Sequence, residues 1–279
     1  MNHLKTALLM AALTALFLIV GRMIGGQGGM TFALVMALVL NFGSYWFSDR
    51  LALAMSGARP LDPTSAPRLT AAVDRLCRRA GLPRPRLYLI PGQTPNAFAT
   101  GRNPEHAAVA VTQGLLELLS DQELEGVLAH ELAHVKNRDI LLSSIAAVMA
   151  GAIGYLASMA QWALIFGGGR SSDDEEGGAG GLGLLVAMIV APLAATIIQL
   201  TISRSREYAA DRTGAEIAGS PEGLASALGR LEQWNRRLPM AIQPAQAQMF
   251  IVNPLKADAL MRLFSTHPPI QDRIRRLLG

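Results

Sequence analysis

Two histidines one helical turn apart, with a glutamate beside the first, make up His130-Glu131-Leu132-Ala133-His134. The stretch reads H-E-x-x-H within a run of helix-forming residues. On an α-helix, residues four apart lie one above the other on the same face. Two imidazoles at that spacing can hold one zinc ion, and the adjacent glutamate can reach a water on it. The competing account is a solvated helix that carries two histidines by coincidence.

A catalytic zinc keeps three protein ligands and leaves a fourth position for water. Asp139 follows closely, but five residues past His134 it lies off the ligand face. Ser203-Arg204-Ser205-Arg206-Glu207-Tyr208-Ala209-Ala210-Asp211 is the better source, because Glu207 and Asp211 are four apart and share a helix face. Glu207 can ligate the metal. Asp211 can accept a hydrogen bond from the free ring N–H of His130, fixing its tautomer and strengthening it as a ligand. An amphipathic helix leaving a membrane, with Arg204 and Arg206 at the headgroups, accounts for the same residues equally well.

These groups need elements to hold them. Ser120-Asp121-Gln122-Glu123 forms a capping box, so the motif helix should start just after Ser120, with His130 near its middle. Residues 68–80 read as a helix stopped by Gly81, and Cys77 falls on its apolar face as a small buried group. Residues 86–90 and 107–112 read as strands, with Asn96-Ala97-Phe98-Ala99 as a possible third between them; residues 58–67, with three prolines, read as a linker. Residues 204–279 look helical, with Ser220-Pro221 as one helix start. Near the end, Ile270, Ile274, Leu277 and Leu278 form an apolar stripe, and Arg273, Arg275 and Arg276 read as solvated, or else as lying against anionic headgroups.

Of the 279 residues, 51% are hydrophobic and only 16% charged, too apolar for an ordinary soluble domain. Four uncharged stretches, 6–21, 23–48, 140–169 and 177–203, read as membrane helices. The glycine cluster at Gly25-Gly26-Gln27-Gly28-Gly29 would turn the first two into a hairpin, and no cleavage site of the A-x-A type follows Val20. The segment between the second and third spans holds ten Arg and one Lys, whereas the loop between the third and fourth carries Asp173, Asp174, Glu175 and Glu176 against Arg170. The positive-inside rule then puts both polar segments and both termini in the cytoplasm. A net charge of +4 without a basic, aromatic-interleaved patch gives nucleic acid no support as a partner. One cysteine excludes a disulfide framework within the chain.

The expected architecture is mainly α with a small β-sheet. It comprises a transmembrane hairpin (1–48), a cytoplasmic segment with the H-E-x-x-H helix (49–139), two further spans joined by an acidic Gly-rich loop (140–203), and a cytoplasmic segment carrying the third ligand (204–279).

H-E-x-x-H after two spans, S-R-x-x-E-Y-x-A-D after two more, Asn96-Ala97-Phe98-Ala99 upstream and Phe264-Ser265-Thr266-His267-Pro268 downstream resemble the HtpX-type membrane zinc metalloproteases. These are gluzincins related to the CAAX prenyl proteases. The resemblance implies one zinc per chain bound by His130, His134 and Glu207, with Asp211 behind His130 and Glu131 as general base. Such an enzyme needs a donor for the developing oxyanion. His267 is the candidate, with Asn96 helping to hold substrate or water; a structural role for His267, capping the helix that opens at Pro268, is the alternative. The strand region 96–112 would receive substrate as an added strand. The implied substrates are misfolded or damaged membrane proteins, or other unfolded proteins, cut near the lipid bilayer on the cytoplasmic side of a bacterial inner membrane in stress and quality control.

Two rivals stand beside this reading. Intramembrane proteases of the site-2 class also carry H-E-x-x-H, but within an apolar span. Here Glu123 and Glu125 precede the motif and Lys136, Asn137, Arg138 and Asp139 follow it, which fits a site at the membrane surface better. A non-enzymatic scaffold with a closed structural zinc would normally use several cysteines, and Cys77 is alone.

Overall fold

A computed structural model describes residues 2–149, 204–237, 251 and 268–279. The expected fourth span, the acidic loop, most of the third span and His267 lie outside the described residues.

Helix α1 (Asn2–Met55) is broken at Gly25 and Gly26, where Gly26 takes φ 57° and ψ −136°, a conformation that L side chains avoid. The two arms, Leu4–Met23 and Gly25–Met55, are each long and apolar enough to cross a membrane. They fold back on one another as the glycine cluster led us to expect. A Cβ on Gly21 would meet Gly29 O at 2.5 Å, and Asn41 Nδ2 donates to Thr14 Oγ1 at 2.8 Å. Leu8, Ile19, Phe32, Val39 and Phe42 stand exposed around the hairpin, a surface suited to lipid and costly in water.

The sheet has order β1-β2-β4-β3, with β1 Arg59–Pro60, β2 Arg86–Ile90, β3 Ala97–Thr100 and β4 Ala108–Thr112. β2 and β4 run parallel, while β1 and β3 pair antiparallel to them as the two edges. The linker expected at 58–67 thus contains a two-residue strand. Its Pro60 is tolerated because an edge strand need not donate on both sides. Helix α2 (Pro67–Ala80) opens on its proline and ends at Gly81 with φ 67°. Fourteen residues make a marginal helix in water, so packing must hold it. Leu69, Val73 and Leu76 are fully buried, each contributing about 1.5–3 kcal/mol. Cys77 lies in that same core, and burial, helped by Asp74, pushes its thiol up to about 11, which removes it as a nucleophile.

Helix α3 (Gln113–Leu118) leads into α4 (Asp121–Lys136), the central element. The Ser120–Glu123 capping box is formed as expected. Glu123 does more than cap, since it also accepts from Ser226 Oγ at 2.6 Å and pairs with Arg230 at 3.0 Å. Next come α5, described over Ile140–Met149, then α6 (Arg204–Ala218), α7 (Glu222–Arg237) and α8 (Ile270–Leu278). Glycines set how closely α4 is approached. A Cβ on Gly126 would stand 2.3 Å from Leu224 N of α7, and one on Gly214 of α6 would stand 3.0 Å from His130 Cα.

Burial alone would raise the Glu123 carboxyl, but its bonds to Ser226 and Ser120 and the charge of Arg230 outweigh that and hold it below its ordinary value. The native state therefore binds fewer protons here than the unfolded chain. The stabilisation is complete above the ordinary glutamate range, near pH ~4.3, and is lost as pH falls through the lowered folded value. We expect Glu123→Gln to cost about 1–3 kcal/mol near neutral pH, with the gap to wild type shrinking below pH ~4. Denaturant unfolding in detergent at both pH values checks this.

Candidate active site

α4 carries His130 and His134 one turn apart, their rings edge to face with centroids 4.7 Å apart and their Nε2 atoms 3.2 Å apart. Two nitrogens bound at ~2.0–2.1 Å to one tetrahedral ion would sit about 3.3 Å apart, so the pair is already spaced for a metal. Glu207, in the first turn of α6, faces them with Oε2 3.8 Å from His130 Nε2 and Oε1 3.8 Å from His134 Nε2. One ligand atom from each of the three lies within 4.8 Å of the others. The close approach at Gly214 lets α6 present this carboxylate to α4.

The outer nitrogens are engaged as well. His130 Nδ1 donates to Asp211 Oδ1 at 3.0 Å, and His134 Nδ1 to Asp139 Oδ1 at 3.2 Å. Each bond ties down Nδ1, so that Nε2 is the nitrogen turned towards Glu207. Arg273 of α8 then grips Asp211 in a fork, Nη2 to Oδ1 at 2.6 Å and Nε to Oδ2 at 2.9 Å, while its Nη1 donates to Ile251 O at 3.0 Å. This overturns the expectation of a solvated or headgroup-facing Arg273, which is only 1% exposed. A guanidinium is buried there because Asp211 supplies a carboxylate for it to pair with. Burial alone would raise Asp211, but its bonds to His130 and Arg273 bring it down to about 2. Burial would likewise lower His134, yet Asp139, Glu207 and Glu131 push it up to about 10. Glu131, Glu207 and Asp211 all act on the buried Arg273 guanidinium, three carboxylates around one positive charge, an arrangement that suits a further cation.

Glu131 points the other way, towards the sheet. Its Oε2 accepts from Ala99 N at 2.8 Å. In β3, Thr112 N donates to Asn96 O, so by antiparallel alternation Phe98 and Thr100 also bond inward to β4, while Ala97 and Ala99 turn their main-chain groups to the free edge. The Glu131 carboxylate therefore sits between the histidines and the outer edge of β3, which pairs with no further strand among the described residues. Burial raises its pKa; the two histidines and the Ala99 amide oppose this and Glu207 adds to it, leaving it above the ordinary value. That is the direction a general base at neutral pH requires. Asn96 is buried, and its Oδ1 accepts from Ile251 N at 3.2 Å.

The structure thus brings His130, Glu131, His134, Glu207 and Asp211 together and places Asn96 at the head of the adjoining strand. Asp139, set aside as a ligand in the sequence reading and absent from the ligand group, and Arg273 enter the site as partners of His134 and Asp211, roles that sequence reasoning did not assign. Arg273 falls three residues after Ile270 and four before Leu277, on the apolar face of α8, and that position was its one available signal.

The profile of Peptidase family M48 matches residues 63–279. A protein named Protease HtpX homolog from Desulfatibacillum aliphaticivorans is 58% identical over 278 residues, covering 100% of this chain and 89% of that one. Its namesake from Syntrophobacter fumaroxidans is 57% identical over 277 residues, covering 99% and 98%. Among solved structures, the crystal structure of S. mikatae Ste24p aligns with TM-score 0.52 at 19% identity. The alignment covers 99% of this chain and 65% of that one, a likeness of fold.

Proposed function

The chain belongs to peptidase family M48, and from that membership and its site we propose a zinc endopeptidase of the bacterial inner membrane that cuts misfolded or damaged membrane proteins on the cytoplasmic side. The observation that carries the reading is the convergence of His130, His134 and Glu207 beside a buried carboxylate, Glu131, that is not one of the group. Two imidazoles and one carboxylate form a donor set that zinc accepts with a position to spare. A bound zinc would polarise the scissile carbonyl and acidify a water.

The chain's own residues do the rest. Glu131 takes the proton of the attacking water and returns it to the leaving amine. Asp211 and Arg273 keep His130 in its ligating tautomer. The outward main-chain groups of Ala97 and the carbonyl of Ala99, whose N–H is held by Glu131, receive an extended substrate segment by main-chain hydrogen bonds, which would give a loose sequence preference. His267 and Asn96 are assigned to the oxyanion and to substrate positioning. Residues 1–48 and 140–203 form four spans, with the two polar segments meeting on the cytoplasmic side.

The test is to purify the full chain in detergent with a chelator and then add zinc. Cuts in an unfolded test protein and in the enzyme itself should appear only after zinc addition. Stoichiometric zinc binding with no cleavage of any protein would favour a scaffold instead.

A further inference from the structure

α4 ends at Lys136, and the chain turns sharply before α5 begins at Ile140. The turn depends on Arg138, whose φ of 56° makes it the one non-glycine with positive φ among the described residues. L side chains rarely adopt that conformation, and it survives where the surroundings impose it. Its effect is to fold the next residue back under the helix. Asp139 N donates to His134 O at 3.2 Å, and the buried Asp139 side chain meets His134 Nδ1.

Asp139 is also the residue from which α5 grows. Ser143 N donates to Asp139 O, and one turn further on Ser144 Oγ lies 2.7 Å from Thr100 Oγ1 at the end of β3. Beyond that, Leu141, Leu142, Ile145 and Met149 pack on Leu9 and Leu13 of the α1 hairpin. The first turn of α5 is therefore fixed to the apolar hairpin, to the edge strand and to one of the two histidines.

We infer that Asp139 is a positioning residue for metal binding: its carboxylate fixes His134 with Nε2 towards the ion and ties that ligand to the root of the apolar helix α5. This rests on the reading of His134 as a ligand. The two histidines are then held by carboxylates of different origin, His130 from α6 and His134 from the turn before α5. Asp139 does not itself join the ligand group, because it contacts Nδ1, the nitrogen on the far side of the ring from Glu207.

A purely structural residue at this position would act as the N-cap of α5, and asparagine caps as well as aspartate does. The comparison of Asp139→Asn with Asp139→Ala separates the two roles. Zinc affinity of the full-length apoprotein in detergent is measured by chelator competition, with the cobalt absorption spectrum as a second readout. Asp139→Ala should weaken zinc about 10–100-fold, and Asp139→Asn, which keeps an acceptor but not the charge, should weaken it by a smaller factor. Asp139→Asn should also shift the cobalt bands of the metal-loaded protein, a readout that a residue serving only as a helix cap would leave unmoved. Ser144→Ala, which loosens the same turn without touching His134, should keep zinc affinity within about twofold. Wild-type affinity in both Asp139 variants, or an equal loss in Ser144→Ala, overturns the inference. His134→Ala separates this from the underlying reading. If it loses zinc while the Asp139 variants do not, only the present inference fails. If it binds zinc like wild type, the metal site and this inference fail together.

Discussion

The Glu131→Gln variant should keep its metal and lose about 10²–10⁴-fold in peptide cleavage, the range a positioned acid–base group contributes. Metal retention follows because Glu131 stands outside the His130, His134 and Glu207 group. Local structure should persist, since the amide oxygen of glutamine can accept from Ala99 N as the carboxylate does. Burial of a neutral amide also avoids the desolvation that a carboxylate suffers there, so unfolding should not occur earlier. Only proton transfer is removed, because a carboxamide cannot take a proton from water at neutral pH. The check is kcat/KM on a quenched peptide, together with metal content on the same sample. More than a tenth of wild-type cleavage in a homogeneous, metal-loaded variant would mean that another base does the work.

The second large effect concerns Arg273. Its replacement by Met should destabilise the protein by about 3–5 kcal/mol, because Asp211 is left as a buried carboxylate without its main counter-charge. Lysine should not rescue it, since one ammonium cannot reproduce the fork that holds both Asp211 oxygens and reaches Ile251 O as well. In an Asp211→Asn background the same change should cost less than half as much, because no unpaired charge then remains. Denaturant unfolding of the four proteins of this cycle measures the coupling. Equal costs in both backgrounds would show that Arg273 acts through packing alone.

How far the sequence anticipated the structure differs from one residue to the next. The start of α4, the end of α2 and the hairpin turn were legible because each is set by local chemistry: a capping box, a C-terminal glycine and a glycine cluster. The pairs His130/His134 and Glu207/Asp211 were legible because helical periodicity fixes which residues share a face. Arg273 was passed over, because its place on the apolar face of α8 gives no hint of the carboxylate it meets there. Its partner lies 62 residues away, and only the tertiary fold selects which arginine turns inward. Asp139 was weighed as a ligand and set aside, since a regular helix would carry it off the face. It is indeed not in the ligand group, and the left-handed turn at Arg138 that puts it behind His134 leaves no mark in composition. The strand β1 escaped notice because two residues containing a proline carry no alternation.

The order of the site along the chain has a temporal consequence. His134 precedes Arg273 by 139 residues, and Glu207 and Asp211 fall between them. At a synthesis rate of about 5–20 residues per second, the histidine pair leaves the ribosome roughly 7–30 s before the arginine that closes the site. During that interval Asp211 exists without the arginine that pairs with it in the folded protein. On the proposed reading, the nascent chain would carry its histidine pair, and then Glu207 and Asp211, before Arg273 is there to brace Asp211 behind His130.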